Sequence, residues 1–473
     1  MASHYAYDAV VIGAGPNGLA AAITIAQSGR SVIVYESQST IGGGVRSAHL
    51  TAPGFIHDVC SAVYPLAVGS PFFRTLPLHE HGLEWIQPAA PLAHPLDDGT
   101  AIMLERSVAA TCDQLGADGT AYKNLIGRLV DQWDGLAGDI LAPLRLPRKP
   151  LWFARFGWRA IRSARRLAEN LFAGQRARAL FAGLAAHSML PLESAASAGF
   201  GLVLGVSAHA LGWPVARGGA QQLSDALARY LRRLGGEIVV NKPIGALAEL
   251  PSCRVVLCDL TPRQLLSLAG ERFAPAYRQS LERYRYGMGA FKMDWALSGP
   301  APWKSAECAR AATIHLGGTL EEIALSERLA WQGSHAGKPF TLVVQPSLFD
   351  HSRAPATMHT LWAYCHVPNG SAFDMSERIE AQIERFAPGF RSLVLARSIM
   401  MPLDLERHNA NLVGGDINGG AALLHQLFFR PTAKLYKTSV KGLYICSSST
   451  PPGGGVHGMC GYFAARQALT EML

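Results

Sequence analysis

Apolar positions near the start of the chain switch period twice. Val10-Val11-Ile12 is a continuous β-branched run, Leu19 to about Ser28 is alanine-rich at helical spacing, and Val32–Tyr35 is β-branched again. These runs predict strand, helix, strand. Further on, an apolar-periodic stretch from Gln221 to about Leu234 predicts a helix, followed by strands around Val239 and over Arg254–Cys258. Phe291–Leu297, Phe340–Gln345 and His359–Tyr364 alternate or run apolar as sheet strands do. The final segment, from Gly442, reads as strand, glycine loop and helix.

The first strand–helix junction is Gly13-Ala-Gly15-Pro16-Asn17-Gly18, and the second strand ends on Glu36-Ser37, the acid lying 18 residues after the third glycine. In such a β-α-β unit Gly13 permits the tight turn, Gly15 lets a pyrophosphate approach the backbone, and Gly18 lets helix and strand pack closely. The helix N-terminus turns free N–H groups toward phosphates. Glu36 is placed to accept from an adenosine ribose. A dinucleotide site follows.

The chain has 473 residues, 49% hydrophobic and 16% charged, which fits two or three domains with large cores and excludes a disordered protein. The N-terminus leaves no room for a signal peptide, and the eight cysteines show no CxxC, so a reduced cytoplasmic protein without a metal site is expected. Cys253 and Cys258 have the spacing of a redox pair. They lie within a strand run, five residues apart, so their side chains point to opposite faces and core packing is expected. The only other GxGxxG match, Gly453 to Gly458, is followed by one helix and then the end of the chain, so no second β-α-β unit with a terminal acid is visible, which argues against a reductase fed by NADPH.

After Glu36 comes Ile41-Gly42-Gly43-Gly44-Val45-Arg46-Ser47. This resembles the glycine-rich segment of the flavin-containing amine oxidase and phytoene desaturase superfamily. The resemblance implies that the dinucleotide is FAD, that Gly43, Gly44 and Val45 run beside its pyrophosphate, and that Arg46 begins the path to the flavin ring. The segment Gly442 to Ala465, with Ser448, Gly455, Val456 and His457, resembles the one that closes over ribitol and isoalloxazine in that superfamily. A helix from about Val456 to Leu469 would aim its positive end at the flavin N1/O2 edge and favour an anionic reduced flavin. Amine oxidases usually carry an acid where this chain has Ser448; phytoene desaturases lack it, which moves the resemblance toward the desaturase branch. It also implies that backbone groups near Val239 and the turn to Ile244 support the adenine. Thr313–Thr319 and the run 339–350 are similar to the subgroup of pyridine nucleotide-disulfide oxidoreductase domain-containing protein 2.

The implied fold is α/β: a Rossmann-like FAD-binding domain from 1–65, 213–290 and 400–473, a discontinuous α+β substrate domain from 66–130 and 291–399, and a helical, basic insertion over 131–212. Charge marks that insertion. The formal net charge is +8, and Arg145 to Arg178 contains ten Lys/Arg and one acid, Glu169, leaving the rest about neutral. On a helical wheel Arg155, Arg159, Arg162 and Arg166 share one side, and Phe156, Ile161, Ala164, Leu167, Leu171 and Phe172 the other. Two readings stay open: a solvated surface helix, or a peripheral membrane surface. No recognition fold accompanies the charge, which excludes nucleic acid. The uncharged run Ser194–Val215 is too weakly hydrophobic for a bilayer span and reads as a buried helix lining an apolar channel.

Flavin desaturation needs an aligned C–H bond and a base. Three catalytic candidates follow from chain position. His457 adjoins the flavin in the family picture, or caps the helix. Asp416, in Gly-Gly-Asp-Ile-Asn-Gly-Gly, is a base or an Asx turn. Arg217 contacts flavin or a substrate carboxylate, or makes a structural ion pair. His187, His209 and His57 read more simply as core histidines, and Cys460 lies near the flavin in that picture. The expected function is hydride transfer from an apolar, polyene or lipid-like substrate to flavin N5, with oxygen or a quinone as acceptor. An amine oxidase-like enzyme, a reduced-flavin isomerase and a non-catalytic lipid carrier, as in the Rab GDP-dissociation inhibitors, are the alternatives.

Overall fold

The computed structural model describes residues 5–473. Its first sheet has five parallel strands in the order Leu443–Ile445, Cys253–Cys258, Tyr7–Ile12, Val32–Tyr35, Glu237–Val239. The central strands are continuously apolar because helices cover both faces. The helices Pro16–Gln27 and Met459–Glu471 pack on one another, so the two ends of the chain meet beside the glycine motif. Gly461 makes this approach feasible: a Cβ there would stand 1.8 Å from the Asn17 carbonyl oxygen. The last helix begins at Met459 rather than Val456, because Gly458 is left-handed with φ of 68°.

The second sheet has seven strands in the order Val394–Met400, Gly289–Leu297, His359–Val367, Thr341–Val344, Ala311–Leu316, Ala90–Pro95, Ala101–Leu104. It is antiparallel apart from the pairing of Ala311–Leu316 with Ala90–Pro95. Alternate residues serve opposite faces. Phe291, Met293, Trp295, Leu361 and Ala363 pack with Ile379, Ile383 and Phe386 of the helix Ser376–Phe386. The other face carries Lys292, Asp294, Trp362, Tyr364, Leu342, Val344, Thr313 and His315, in register across four strands.

The basic region is not one amphipathic helix. It breaks into Pro150–Ala160 and Ala164–Leu171, because Ser163 caps the second by accepting the Arg166 N–H at 3.2 Å. Ser197–Leu211 is a buried helix, and among the described residues no helix is long and apolar enough to cross a membrane. Cys253 and Cys258 sit on one strand as free thiols, and the other six cysteines, elsewhere in the chain, are free as well.

Candidate functional site

A single cavity of about 730 Å³ runs from the glycine loops of the parallel sheet to the face of the second sheet that carries Lys292. At the nucleotide end it is lined by Gly13, Gly15, Pro16, Asn17, Glu36 and Ser37, then by Gly43, Gly44, Val45 and Arg46. Ser448, Gly455, Val456 and His457 close it from the C-terminal segment. Two neighbouring N-terminal stretches and one from the far end of the chain thus share one wall. Two of them touch: a Cβ on Gly43 would lie 3.2 Å from the Gly15 Cα, so both must be bare backbone there.

Gly18 stands outside the cavity, and its role is packing. A Cβ on it would come within 2.0 Å of the Gly13 carbonyl oxygen. Glu36 is buried and accepts from the Ala14 N–H at 2.9 Å and the Gln38 N–H at 3.0 Å. A carboxylate has lone pairs to spare for a further donor. Asn17 Oδ1 and Arg46 Nε, both buried, have no protein partner. A cradle of bare glycines, a helix N-terminus, an acid and orphaned polar atoms fit a dinucleotide.

Other expected site residues lie elsewhere. Val239 and Ile244 are not in the cavity lining; the Val239 carbonyl instead accepts the Glu36 N–H at 2.8 Å and so fixes that acid. Arg217 is half-exposed outside the cavity and pairs with Glu84 at 2.7 Å, its charge spent on the surface. Asp416 is fully buried and accepts from the N–H groups of Gly287 (2.7 Å), Asn418 (2.8 Å) and Gly420 (2.9 Å). It ties loops together, and it does not reach the cavity. His457 does reach it. Its Nδ1 accepts the Met459 N–H at 3.1 Å, capping the last helix, while its Nε2 is buried without a partner. Burial pulls its pKa down to about 4, so the ring is neutral and Nε2 carries the proton.

Two groups were not singled out from the sequence. The first is Asp259, at the end of the third parallel strand in chain order to border the cavity. Its carboxyl accepts the Gly18 N–H at 3.0 Å, and burial pushes its pKa up to about 7 against that bond. Its folded pKa therefore exceeds the ordinary carboxyl value. The stability it contributes is present below about pH 4 and is lost as pH rises toward 7. A diphosphate beside it disfavours the ionised form further, so binding takes up a proton near neutrality. Dinucleotide affinity should fall about three- to tenfold from pH 6 to pH 8, and Asp259→Asn should flatten that slope; equilibrium binding titrations across that range check both.

The second is Lys292, buried in the middle of a strand with its ammonium against the Asp294 carboxylate and 5.6 Å from the centre of the Trp362 ring. Asp294 Oδ1 lies 3.5 Å from His57 Nδ1, and Asp58 pairs with Arg353 at 2.8 Å. Burial raises the Asp294 pKa to about 6 against the pull of Lys292, and lowers that of His57 to about 3. Two cations, two carboxylates and a neutral imidazole thus balance beneath the cavity floor. Lys292 opens into the cavity at the boundary between its glycine and apolar parts. The signal in the sequence was Lys-Met-Asp inside an otherwise apolar strand: two residues apart, both charges must share a face.

Beyond Lys292 the lining is mainly apolar, with Leu342, Val344, Trp362, Phe200, Val203 and Phe156 among others. The helix Pro150–Ala160 contributes Phe153, Phe156 and Gly157. Its apolar side therefore faces the cavity, while Leu146 (94% exposed), Leu151 (88%) and Trp158 (64%) stand out to solvent among arginines.

Residues 11–76 match the NAD(P)-binding Rossmann-like domain family. Over 98% of this chain and 94% of its own length, mouse pyridine nucleotide-disulfide oxidoreductase domain-containing protein 2 is 27% identical. A neurosporene-forming phytoene desaturase of Rhodobacter capsulatus is 25% identical over 96% of this chain and 92% of its own. Among solved structures, a triple mutant of putrescine oxidase shares the fold with a TM-score of 0.63 at 17% identity, covering 98% of this chain and 99% of that one. Over nearly its whole length the chain is thus similar to these two relatives, and it shares its fold with putrescine oxidase.

Proposed function

We propose that the protein is an FAD-dependent oxidoreductase of phytoene desaturase type, acting on an apolar, polyene or lipid-like substrate. The observation that carries this reading is the continuity of the cavity. One chamber joins a dinucleotide cradle to an apolar floor, with a buried ammonium where the two meet.

FAD would be held by the Gly13–Gly18 loop, Glu36, the Gly43–Arg46 segment and the stretch from Ser448 to His457; when bound, it supplies the hydride acceptor. The chain's own residues do the rest. The aromatic and aliphatic floor binds the substrate by burial, at about 25 cal/mol per Å² of apolar surface, and excludes water. Lys292 holds a positive charge at the junction, kept in place by Asp294, and the substrate proton lost with the hydride leaves to solvent through the open cavity. His457 offers an Nε2–H at the glycine end. The test is anaerobic photoreduction of the reconstituted protein, followed by reoxidation with air or a soluble quinone. Two-electron bleaching and clean reoxidation support the enzyme. A protein that takes up no FAD supports a carrier of the same fold.

The exposed tip of the helical insertion suits an anionic lipid surface. Leu144, Leu146, Leu151 and Trp158 protrude beside Arg148, Lys149, Arg155 and Arg162, and Leu144 also borders the cavity. An apolar substrate would pass from bilayer to cavity without crossing water. The docking element is this tip rather than the inward apolar side of the helix. Replacing those four cations by Gln should reduce co-sedimentation with phosphatidylglycerol vesicles about tenfold or more, at ~1 kcal/mol per charge. High salt should do the same, because the attraction is screened within about 8–10 Å. Indifference of the parent protein to such vesicles at low salt would refute the docking.

A further inference from the structure

The cavity has a second polar pole. Pairing across the sheet places Lys292, Tyr364, Leu342 and His315 in one row, on one face. Three strand spacings of ~4.8 Å put His315 about 14 Å from Lys292 along the floor. Over His315 sits His187, their Nε2 atoms 3.0 Å apart. One ring donates to the other, which consumes both Nε2 atoms. His187 borders the cavity, and its Nδ1 takes no protein partner. The Trp213 ring stands edge-on to it at 5.9 Å.

Two neighbours in the lining are unsatisfied as well. Trp213 Nε1 and Thr313 Oγ1 are sealed from solvent and bond to nothing in the protein, although both side chains are more than nine-tenths buried. A buried donor without a partner costs about 1–3 kcal/mol. Two such atoms, with the unpartnered His187 Nδ1 beside them, around one end of an otherwise apolar chamber form a site lacking its occupant. The cationic residues of the lining, Arg46, Lys292 and Arg407, belong to the other end. No countercharge for a carboxylate is therefore present at this pole.

We infer that His187, Trp213 and Thr313 bind a neutral oxygen, a hydroxyl or carbonyl, at the far end of the substrate. This rests on the reading of the cavity as the substrate chamber, and narrows it: the substrate is not a bare hydrocarbon. A site built to hydrogen-bond such a group discriminates against the analogue lacking it, because its own polar atoms are then left unpaired.

The FAD-loaded protein is titrated with all-trans-retinol, with retinoate and with the hydrocarbon that lacks the hydroxyl, by energy transfer from tryptophan. Retinol should bind about tenfold more tightly than the hydrocarbon and than retinoate. Thr313→Val and His187→Leu should each erase most of that preference, by weakening retinol binding and strengthening hydrocarbon binding, while FAD content stays as in the parent. Thr313→Val is isosteric and removes an unpaired hydroxyl, so it keeps the fold. Equal binding of retinol and hydrocarbon, or a preference that survives both substitutions, would overturn the inference and leave the apolar-chamber reading standing. Binding of none of the three would overturn both.

Discussion

Gly15→Val should yield a folded but colourless protein that cannot be reconstituted with FAD. A Cβ at this position would lie 2.8 Å from an Asp259 carboxylate oxygen and 4.0 Å from the Gly43 Cα. The larger valyl group would fill the space between the two glycine segments, where a pyrophosphate must pass. The loss in affinity should exceed a hundredfold, since both the close approach and the helix N-terminal N–H groups are denied to the phosphates. Glu36→Ala should cost less. It removes one charged acceptor, ~1.5–3 kcal/mol, and leaves the cradle open. Fluorescence titration with free FAD separates the two. Full FAD occupancy in the Gly15→Val protein would refute the placement of the dinucleotide.

Lys292→Met should have the largest effect on stability and on turnover together. The substitution leaves Asp294 buried with its strongest countercharge gone, and breaking such a pair costs about 3–5 kcal/mol. The carboxyl of Asp294 already titrates near pH 6 because it is buried. Without the ammonium its folded pKa rises further, so stability is retained at low pH and lost as pH rises through that range. The variant should therefore melt close to the parent at pH 5 and well below it at pH 8. Adding Asp294→Asn should recover much of the loss at pH 8 without restoring turnover. Thermal melts across pH read the first effect, and reoxidation kinetics the second. A Lys292→Met protein with parental melting at pH 8 would show that the ion pair is solvated and not a buried charge balance.

The parallel sheet was legible because its strands are short apolar runs bounded by glycine, and because the motif Gly13–Gly18 ties backbone conformation to residue type. The second sheet was legible only where alternation is strong. Phe291–Leu297 and His359–Tyr364 were visible, and the structure extends both. Ala90–Pro95 was not, since two prolines and a histidine disguise a buried strand. Chain position placed His457 at the cavity, but it could not tell that Asp416 faces its own loop amides or that Arg217 faces Glu84. Those outcomes depend on which neighbour a polar group meets in three dimensions. The same holds for His187, whose partner His315 is 128 residues away. The break at Ser163 had a local signal, a serine followed by helix-forming residues, which the strong amphipathic pattern masked. Lys292 was legible in principle, as a charge inside a buried strand.

The most direct test of the central claim is the absorption spectrum of the purified protein, with identification of the cofactor released on denaturation. The account predicts a yellow protein with a band at about 450 nm and one FAD per chain, or full reconstitution to that state by added FAD. A colourless protein that binds no FAD at any concentration, or one that releases a nicotinamide dinucleotide instead, would contradict it.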